Sequence, residues 1–196
     1  MAGVVARRLA ASFVLFLLAT PLAAAELAGV VLPEHVTATG RELVLNGIGL
    51  REATVLMVDV YVAGLYLPEK TADPAAVLKP DLPKQLVMHF VRSVGKEKLA
   101  DGWTEGFAAN AGDQTDAVAA GLAKLNAAMK DVKKDDVIAL TYQPGAGVSV
   151  AIDGQEAALI PGEDFQRVLY AIWLGPKPPN VGLREGLLGR SGKSAP

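Results

Sequence analysis

Hydrophobic and polar residues alternate along much of the chain between residues 30 and 92, which is the pattern of β-strands. Strands are predicted over residues 30–32, 42–45, 54–67 and 85–92. The third is long and apolar, with Asp59 as its one charged residue, and Gly64 is expected to form a bend or bulge in it. Residues 71–84 contain three prolines, which predicts a loop with about one helical turn.

A period of 3.6 residues then predicts helices over residues 96–109, 115–130 and 181–188, and another between Gly162 and Gly175. Thr115 is the expected N-cap of the second helix. Three short strands are predicted over residues 136–142, 147–152 and 157–160, and Asp153-Gly154 forms the hairpin turn before the last. No repeat or linker divides residues 26–189. The pattern therefore predicts one α+β domain, an antiparallel sheet with helices on one face.

The beginning of the chain has the three parts of a secretory signal peptide. Arg7 and Arg8 precede an apolar run over residues 9–22, and small residues close the segment at Ala23-Ala24-Ala25. A membrane anchor is the alternative, but the run is shorter than the ~20 residues that a spanning helix needs. We predict cleavage after Ala25, a periplasmic or secreted protein without a stable membrane span, and a mobile tail over residues 190–196.

Composition excludes several classes of function. The signal holds two of the 19 basic residues and none of the 21 acidic ones, so the mature chain has a formal net charge of −4, which disfavours nucleic-acid binding. The chain has no cysteine, and its two histidines, His35 and His89, lack the spacing of metal ligands. We therefore predict neither a metal site nor a cofactor. No pattern in the sequence specifies an oligomeric state.

One charged residue stands out, Arg51, at the start of the long apolar strand. A guanidinium there offers a fork of donors to an anionic oxygen, although an ordinary surface arginine is the simpler alternative. The preceding Gly47-Ile48-Gly49 is not a phosphate-binding loop, because a strand and not a helix follows it. The two glycines are instead expected to form a turn between strands.

The segment over residues 45–67 resembles the chalcone isomerase-like family. It contains the family's Gly-x-Arg element as Gly49-Leu50-Arg51 and its strand ending as Gly64-Leu65-Tyr66. The end of the chain is also similar, with the segments Ile172-Trp173-Leu174-Gly175, Pro178-Pro179 and Leu183-Arg184-Glu185-Gly186-Leu187. The resemblance covers residues 28–189. It implies an open-faced β-sandwich whose large antiparallel sheet is covered by helices, with a ligand cleft between them.

The resemblance also implies site residues. The family arginine falls on Arg51, and the strand threonine of the enzymes falls near Tyr61, which keeps a hydroxyl. Lys98 and Glu105 stand where the enzymes place a helix tyrosine and asparagine, and Asn180 lies near their C-terminal threonine or serine. These replacements disfavour the cyclisation of chalcones that the plant enzymes catalyse.

Three functions follow as hypotheses. The leading one is an exported member of the family that binds a small amphipathic anion, a fatty acid or an aromatic acid, with Arg51 on the charged end and Lys98 as a second cation. The alternative is an intramolecular lyase or isomerase acting on a chalcone-like enone or phenol, with Arg51 holding the oxyanion and Tyr61 or Lys98 as proton partner. The third is a structural or interaction protein of the envelope, with Trp103 and Trp173 at an interface, although both lie on apolar helix faces.

Overall fold

The computed structural model describes residues 24–53 and 58–190. Within these ranges, the strands are β1 (Ala24–Leu27), β2 (Val30–Pro33), β3 (His35–Ala38), β4 (Arg41–Ala53), β5 (Val58–Leu67), β6 (Lys84–Phe90), β7 (Val137–Gln143), β8 (Gly147–Ile152) and β9 (Gln155–Ile160). The helices are α1 (Pro74–Val77), α2 (Lys96–Asn110), α3 (Thr115–Ala128), α4 (Glu163–Leu174) and α5 (Val181–Leu187).

Strands β3 to β9 form one antiparallel sheet in which neighbours along the chain are neighbours in space. Strands β1 and β2 form a separate hairpin. The last hairpin turns at Asp153-Gly154, where both residues have positive φ as a type I′ turn requires. The α+β architecture predicted from the hydrophobic pattern is confirmed.

Strand β5, the third of the seven in the sheet, is buried on both faces because each face meets a different layer. Ala63 and Leu65 point towards the large core between the sheet and helices α2, α3 and α4. Val62 and Tyr66 point the other way, into a smaller core covered by the β1–β2 hairpin, which contributes Val30, Leu32 and their neighbours. The result is an open-faced β-sandwich, with the helices on one face of the sheet.

The helices bury the faces that their periodicity predicted. Leu99, Trp103 and Phe107 of α2 are all buried, and α4 is buried along nearly its whole length. Trp103 and Trp173 meet edge to face, with ring centroids 5.8 Å apart. Their exposed fractions are 4% and 1%, so both belong to the interior and not to an exposed interface. No helix in the described ranges is long and apolar enough to cross a bilayer.

Two predictions about glycines are wrong. Gly47 and Gly49 do not form a turn, because β4 continues through them to Ala53. The irregularities of β4 lie instead between Leu45 and Gly47 and after Arg51. Gly64 forms no bulge, since it pairs in regular register with both neighbouring strands. A Cβ on Gly64 would lie 2.6 Å from the Cδ1 atom of Leu32, so this glycine allows the hairpin to approach the sheet.

The other differences between the predicted elements and the structure are local. Thr115 is the first residue of α3 and not its N-cap, and its Oγ1 atom donates a hydrogen bond to the carbonyl of Gly112. Arg190, predicted to begin a mobile tail, donates hydrogen bonds to Ala72 and Glu185. The first part of the long strand predicted over residues 54–67, most of the signal peptide and the last six residues lie outside the described ranges.

Candidate functional site

A cavity of about 350 Å³ lies between helix α2 and strands β5 and β6, and the end of α4 with the loop that follows it closes one side. Its lining is mostly apolar, with a few polar groups that converge on it. The lining residues include Arg51, Val60, Tyr61, Met88, Phe90, Val94, Lys98, Leu99, Trp103, Glu105, Ile172, Trp173, Lys177 and Pro179. Volume and lining are those of a pocket for a small organic molecule.

Arg51 brings a half-buried positive charge to the cavity from the irregular end of β4. Its Nη1 atom donates a hydrogen bond to the Oδ1 atom of Asn180 at 3.1 Å and another to the carbonyl of Glu52. Both acceptors are neutral. No acidic side chain of the described residues forms an ion pair with Arg51, so its charge is available to an anion.

Tyr61 places a hydroxyl beside this arginine, because the two residues are direct partners across β4 and β5. The hydroxyl oxygen accepts a hydrogen bond from Nε1 of Trp173 at 2.9 Å, and the ring packs edge-on against Phe90. Burial raises the pKa of Tyr61 to about 12, although the bond from Trp173 and the charge of Arg51 both act to lower it. Tyr61 is therefore neutral near pH 7 and keeps its proton as a donor.

Helix α2 presents a narrow strip of small and charged residues to the cavity. Lys98 and Glu105 are exposed and lie at its rim. Between them, Gly102 lines the cavity, and a Cβ placed on it would have no neighbour within 4 Å. The helix therefore leaves open space where most sequences would place a side chain.

Asn180 does not line the cavity but holds the groups that do. Its Oδ1 atom accepts hydrogen bonds from Arg51 and from the backbone N–H of Glu52, both at 3.1 Å. It precedes α5 and ends the proline-rich loop that contributes Lys177 and Pro179 to the cavity. Asn180 thus connects this loop to the end of β4.

Helix α5 rests directly on the backbone of β4, and glycines make this possible. A Cβ on Gly49 would lie 2.5 Å from the carbonyl oxygen of Leu183, and one on Gly186 would lie 2.9 Å from the Cα atom of Gly49. Asn46, at the irregularity in β4, donates a hydrogen bond of 2.7 Å to the carbonyl of Leu187. The Gly-x-Gly-x-Arg segment and the closing Leu-Arg-Glu-Gly-Leu segment are therefore two halves of one contact, which sets Asn180 against Arg51.

Of the five residues proposed from the sequence, the structure brings four to the cavity wall, Arg51, Tyr61, Lys98 and Glu105, and places the fifth behind Arg51. Sequence reasoning missed the other aromatic residues of the wall, Phe90, Trp103 and Trp173, and also Lys177. One signal was available on α2, where Lys98, Gly102, Glu105, Gly106 and Ala109 recur at helical spacing on the lining face. Among the described residues, no cluster of His, Asp and Glu could hold a metal ion.

Comparison with known proteins gives one family and one fold. The chain matches the family described as chalcone isomerase-like over residues 24–189. A similar solved structure is the crystal structure of a fatty-acid binding protein from Arabidopsis thaliana, with 18% identity and a TM-score of 0.67. The match covers 85% of this chain and 96% of that chain. Among curated protein sequences, none matches significantly.

Proposed function

Since the chain belongs to the chalcone isomerase-like family, as its motifs predicted, we propose that it is a binding protein for a small amphipathic anion, a fatty acid or an aromatic acid. The observation that carries the proposal is the position of Arg51, a guanidinium that has no acidic partner among the described residues and lies at a mostly apolar cavity. The Arabidopsis fatty-acid binding protein, which shares the fold, supports a carboxylic acid as ligand.

The electrostatics favour a carboxylate at Arg51. A guanidinium binds a carboxylate through two parallel hydrogen bonds, and partial burial strengthens them. The neutral hydroxyl of Tyr61 supplies a third donor, because its oxygen already accepts from Trp173 and its proton remains free to donate. A neutral ligand would leave the charge of Arg51 uncompensated in the cavity, so the site discriminates in favour of anions.

We also propose that the protein works outside the cytoplasm, in the periplasm or as a secreted protein. The predicted signal peptide supports this, with its basic start, short apolar run and Ala23-Ala24-Ala25 ending. The absence of cysteine is compatible with either compartment. The protein would then meet its ligand as a molecule that crosses or leaves the envelope.

The test compares the parent with Arg51→Ala after purification from the exported fraction. Native mass spectrometry and organic extraction identify what is bound, and calorimetry with an added carboxylic acid gives the affinity. Loss of a charged hydrogen bond predicts binding roughly 10- to 150-fold weaker in Arg51→Ala. Arg41→Ala is the matched control, because Arg41 is exposed at the opposite end of the same strand. Equal affinity in parent and Arg51→Ala would refute the proposal.

The pairing of Arg51 with the un-ionised hydroxyl of Tyr61 favours a second candidate, an isomerase or lyase acting on an enone. Two donors at one point suit an oxyanion that develops during reaction. A chalcone loses its enone absorbance when it is cyclised. If the parent causes this loss and both Arg51→Ala and Tyr61→Phe cause it more slowly, the activity is supported. An unchanged rate in either variant would reject the roles assigned to these residues.

A further inference from the structure

We infer that the acid bound by this cavity carries a single aromatic ring and is not a long-chain fatty acid. The inference rests on the proposed function, because it names the class of carboxylate that Arg51 would hold. Three features of the cavity support it independently of the charge: the rings in its wall, the open face of α2, and its volume.

Four aromatic side chains line the cavity, from four different elements: Tyr61, Phe90, Trp103 and Trp173. They are fixed against one another in edge-to-face pairs, with ring centroids 5.6 Å apart for Tyr61 and Phe90 and 5.8 Å apart for the two tryptophans. Because these rings are buried, with exposed fractions of 8% or less, they offer the cavity edges and not faces. A ring edge prefers the face of another aromatic ring, and each such pair adds roughly 2- to 12-fold in affinity beyond the burial of apolar area. An alkyl chain gains affinity only from the burial of its apolar surface.

Helix α2 leaves room at the mouth of the cavity. Gly102 presents bare backbone to the cavity, with nothing within 4 Å of the position of a Cβ atom. One turn further along, Gly106 is already covered by Ile172, whose Cγ1 atom would lie 2.9 Å from an added Cβ. The open space beside α2 therefore lies near Gly102, an exposed residue at the mouth of the cavity, where the missing side chain leaves room for a ring.

The volume limits the size of the ligand. At about 350 Å³ the cavity lies at the small end of the range of about 300–1,000 Å³ found for pockets that hold small organic molecules. An aromatic ring with a short carboxylic acid side chain suits a pocket at this end of the range. A long-chain fatty acid exceeds it, so its tail would have to leave past the exposed rim residues Lys98 and Glu105, where the burial of apolar surface is lost.

Conformational entropy acts in the same direction. A long alkyl chain must give up the freedom of many rotatable bonds when it enters a fixed cavity, whereas a ring enters already rigid. The walls are buried and packed, so they offer one shape and cannot adapt to many chain conformations. We therefore expect the ring, and not the chain length, to determine affinity.

Calorimetry with three acids tests the inference on the mature protein: phenylbutanoate, cyclohexylbutanoate, which has the same carbon skeleton without aromaticity, and hexadecanoate below its aggregation concentration. Phenylbutanoate should bind more tightly than cyclohexylbutanoate by roughly 2- to 12-fold and more tightly than hexadecanoate. Tighter binding of either other acid would overturn the inference and leave acid binding intact. If none of the three acids binds, the proposed function itself is wrong.

A variant of α2 tests where the ring lies. Gly102→Leu should reduce the affinity for phenylbutanoate at least roughly 10-fold, because the new side chain occupies the open space. Gly182→Leu is the matched control, since Gly182 is exposed and free of neighbours like Gly102 but lies on α5, away from the cavity. Circular dichroism checks that both variants fold. Unchanged binding in folded Gly102→Leu would reject the assigned position of the ring.

Discussion

Lys84, the first residue of β6, is fully buried yet forms no ion pair with any described residue. Its ammonium group donates hydrogen bonds to the carbonyl oxygens of Val77 at 2.5 Å and Lys79 at 2.8 Å. The rings of Tyr142 and Tyr170 lie 5.1 and 5.3 Å from the nitrogen and add cation–π attraction. The cation thereby fixes the loop that follows α1 to the sheet.

The pKa of Lys84 makes stability depend on pH. Burial lowers it to about 7, against a smaller opposite effect of Asp81, whereas the unfolded chain keeps the lysine protonated up to about pH 10.4. Between these values the unfolded state binds more protons, so the free energy of unfolding should rise with pH, by up to about 1.4 kcal/mol per unit. Below pH 7 both states are protonated and this contribution to the slope disappears.

Urea unfolding of the parent and of Lys84→Met, measured between about pH 6.5 and 9.5, checks this prediction. Methionine keeps an apolar stem but cannot titrate, so the variant should lack the rise that the parent shows. Comparing slopes cancels the other titrating groups and the cost of the lost hydrogen bonds. Parallel pH profiles in the two proteins would show that Lys84 stays protonated throughout the range.

Lys84 was predicted to end a proline-containing loop. That prediction followed from the three prolines of residues 71–84, and nothing local to residue 84 indicated that its side chain is buried. The carbonyl groups that satisfy the ammonium come from five and seven residues earlier, and the two rings come from distant elements. Burial of a charge of this kind depends on partners that only the folded chain brings together.

Helix α5 is the element that positions the binding end of the cavity, and its contact with β4 depends on missing side chains. Gly186→Ala should destabilise the protein by about 1–3 kcal/mol, because the new methyl group meets the backbone of β4 and the helix must move away. Asn180 moves with the helix, so binding of the acid should weaken as well. Gly182→Ala, on the same helix but in open space, should leave stability equal or up to about 1 kcal/mol higher.

Thermal unfolding and calorimetry on these two variants measure both effects. The position of α5 matters to the site if Gly186→Ala loses affinity for phenylbutanoate while a large fraction of the protein is still folded. If the folded fraction binds as tightly as the parent, α5 contributes stability only, and Arg51 keeps its orientation without the hydrogen bond to Asn180.

The contact between α5 and β4 also explains why a turn was wrongly predicted at Gly47 and Gly49. Two glycines separated by one residue give the same local signal whether the chain turns there or another backbone must approach closely. For Gly47 and Gly49 the deciding partner is α5, more than 130 residues later in the chain. Only the hydrophobic residues flanking these glycines favour the extended strand that the structure shows.

Across the whole molecule, the features that could be predicted from the sequence were those that follow from a repeating hydrophobic pattern. Alternation and helical periodicity were sufficient for most of the strands and helices and for an antiparallel sheet with helices on one face, since neighbouring strands pair in sequence order. Arg51, Tyr61, Lys98 and Glu105 were found through motif resemblance. The aromatic wall was not predicted, because Trp103 and Trp173 belong equally to the hydrophobic faces that pack the core, and packing alone does not reveal which ring also borders a cavity.

The predicted cleavage after Ala25 affects the hairpin that covers the outer face of the sheet. Strand β1 pairs four residues with β2, and cleavage would remove Ala24 and Ala25 and leave Glu26 and Leu27 paired. The hairpin should persist, because the burial of β2 against the sheet does not depend on the first two pairs. Intact mass and N-terminal sequencing of the exported protein should therefore find Glu26 first, in a folded domain that binds the acid. An unprocessed chain recovered with the membrane fraction would instead make the apolar run over residues 9–22 an anchor.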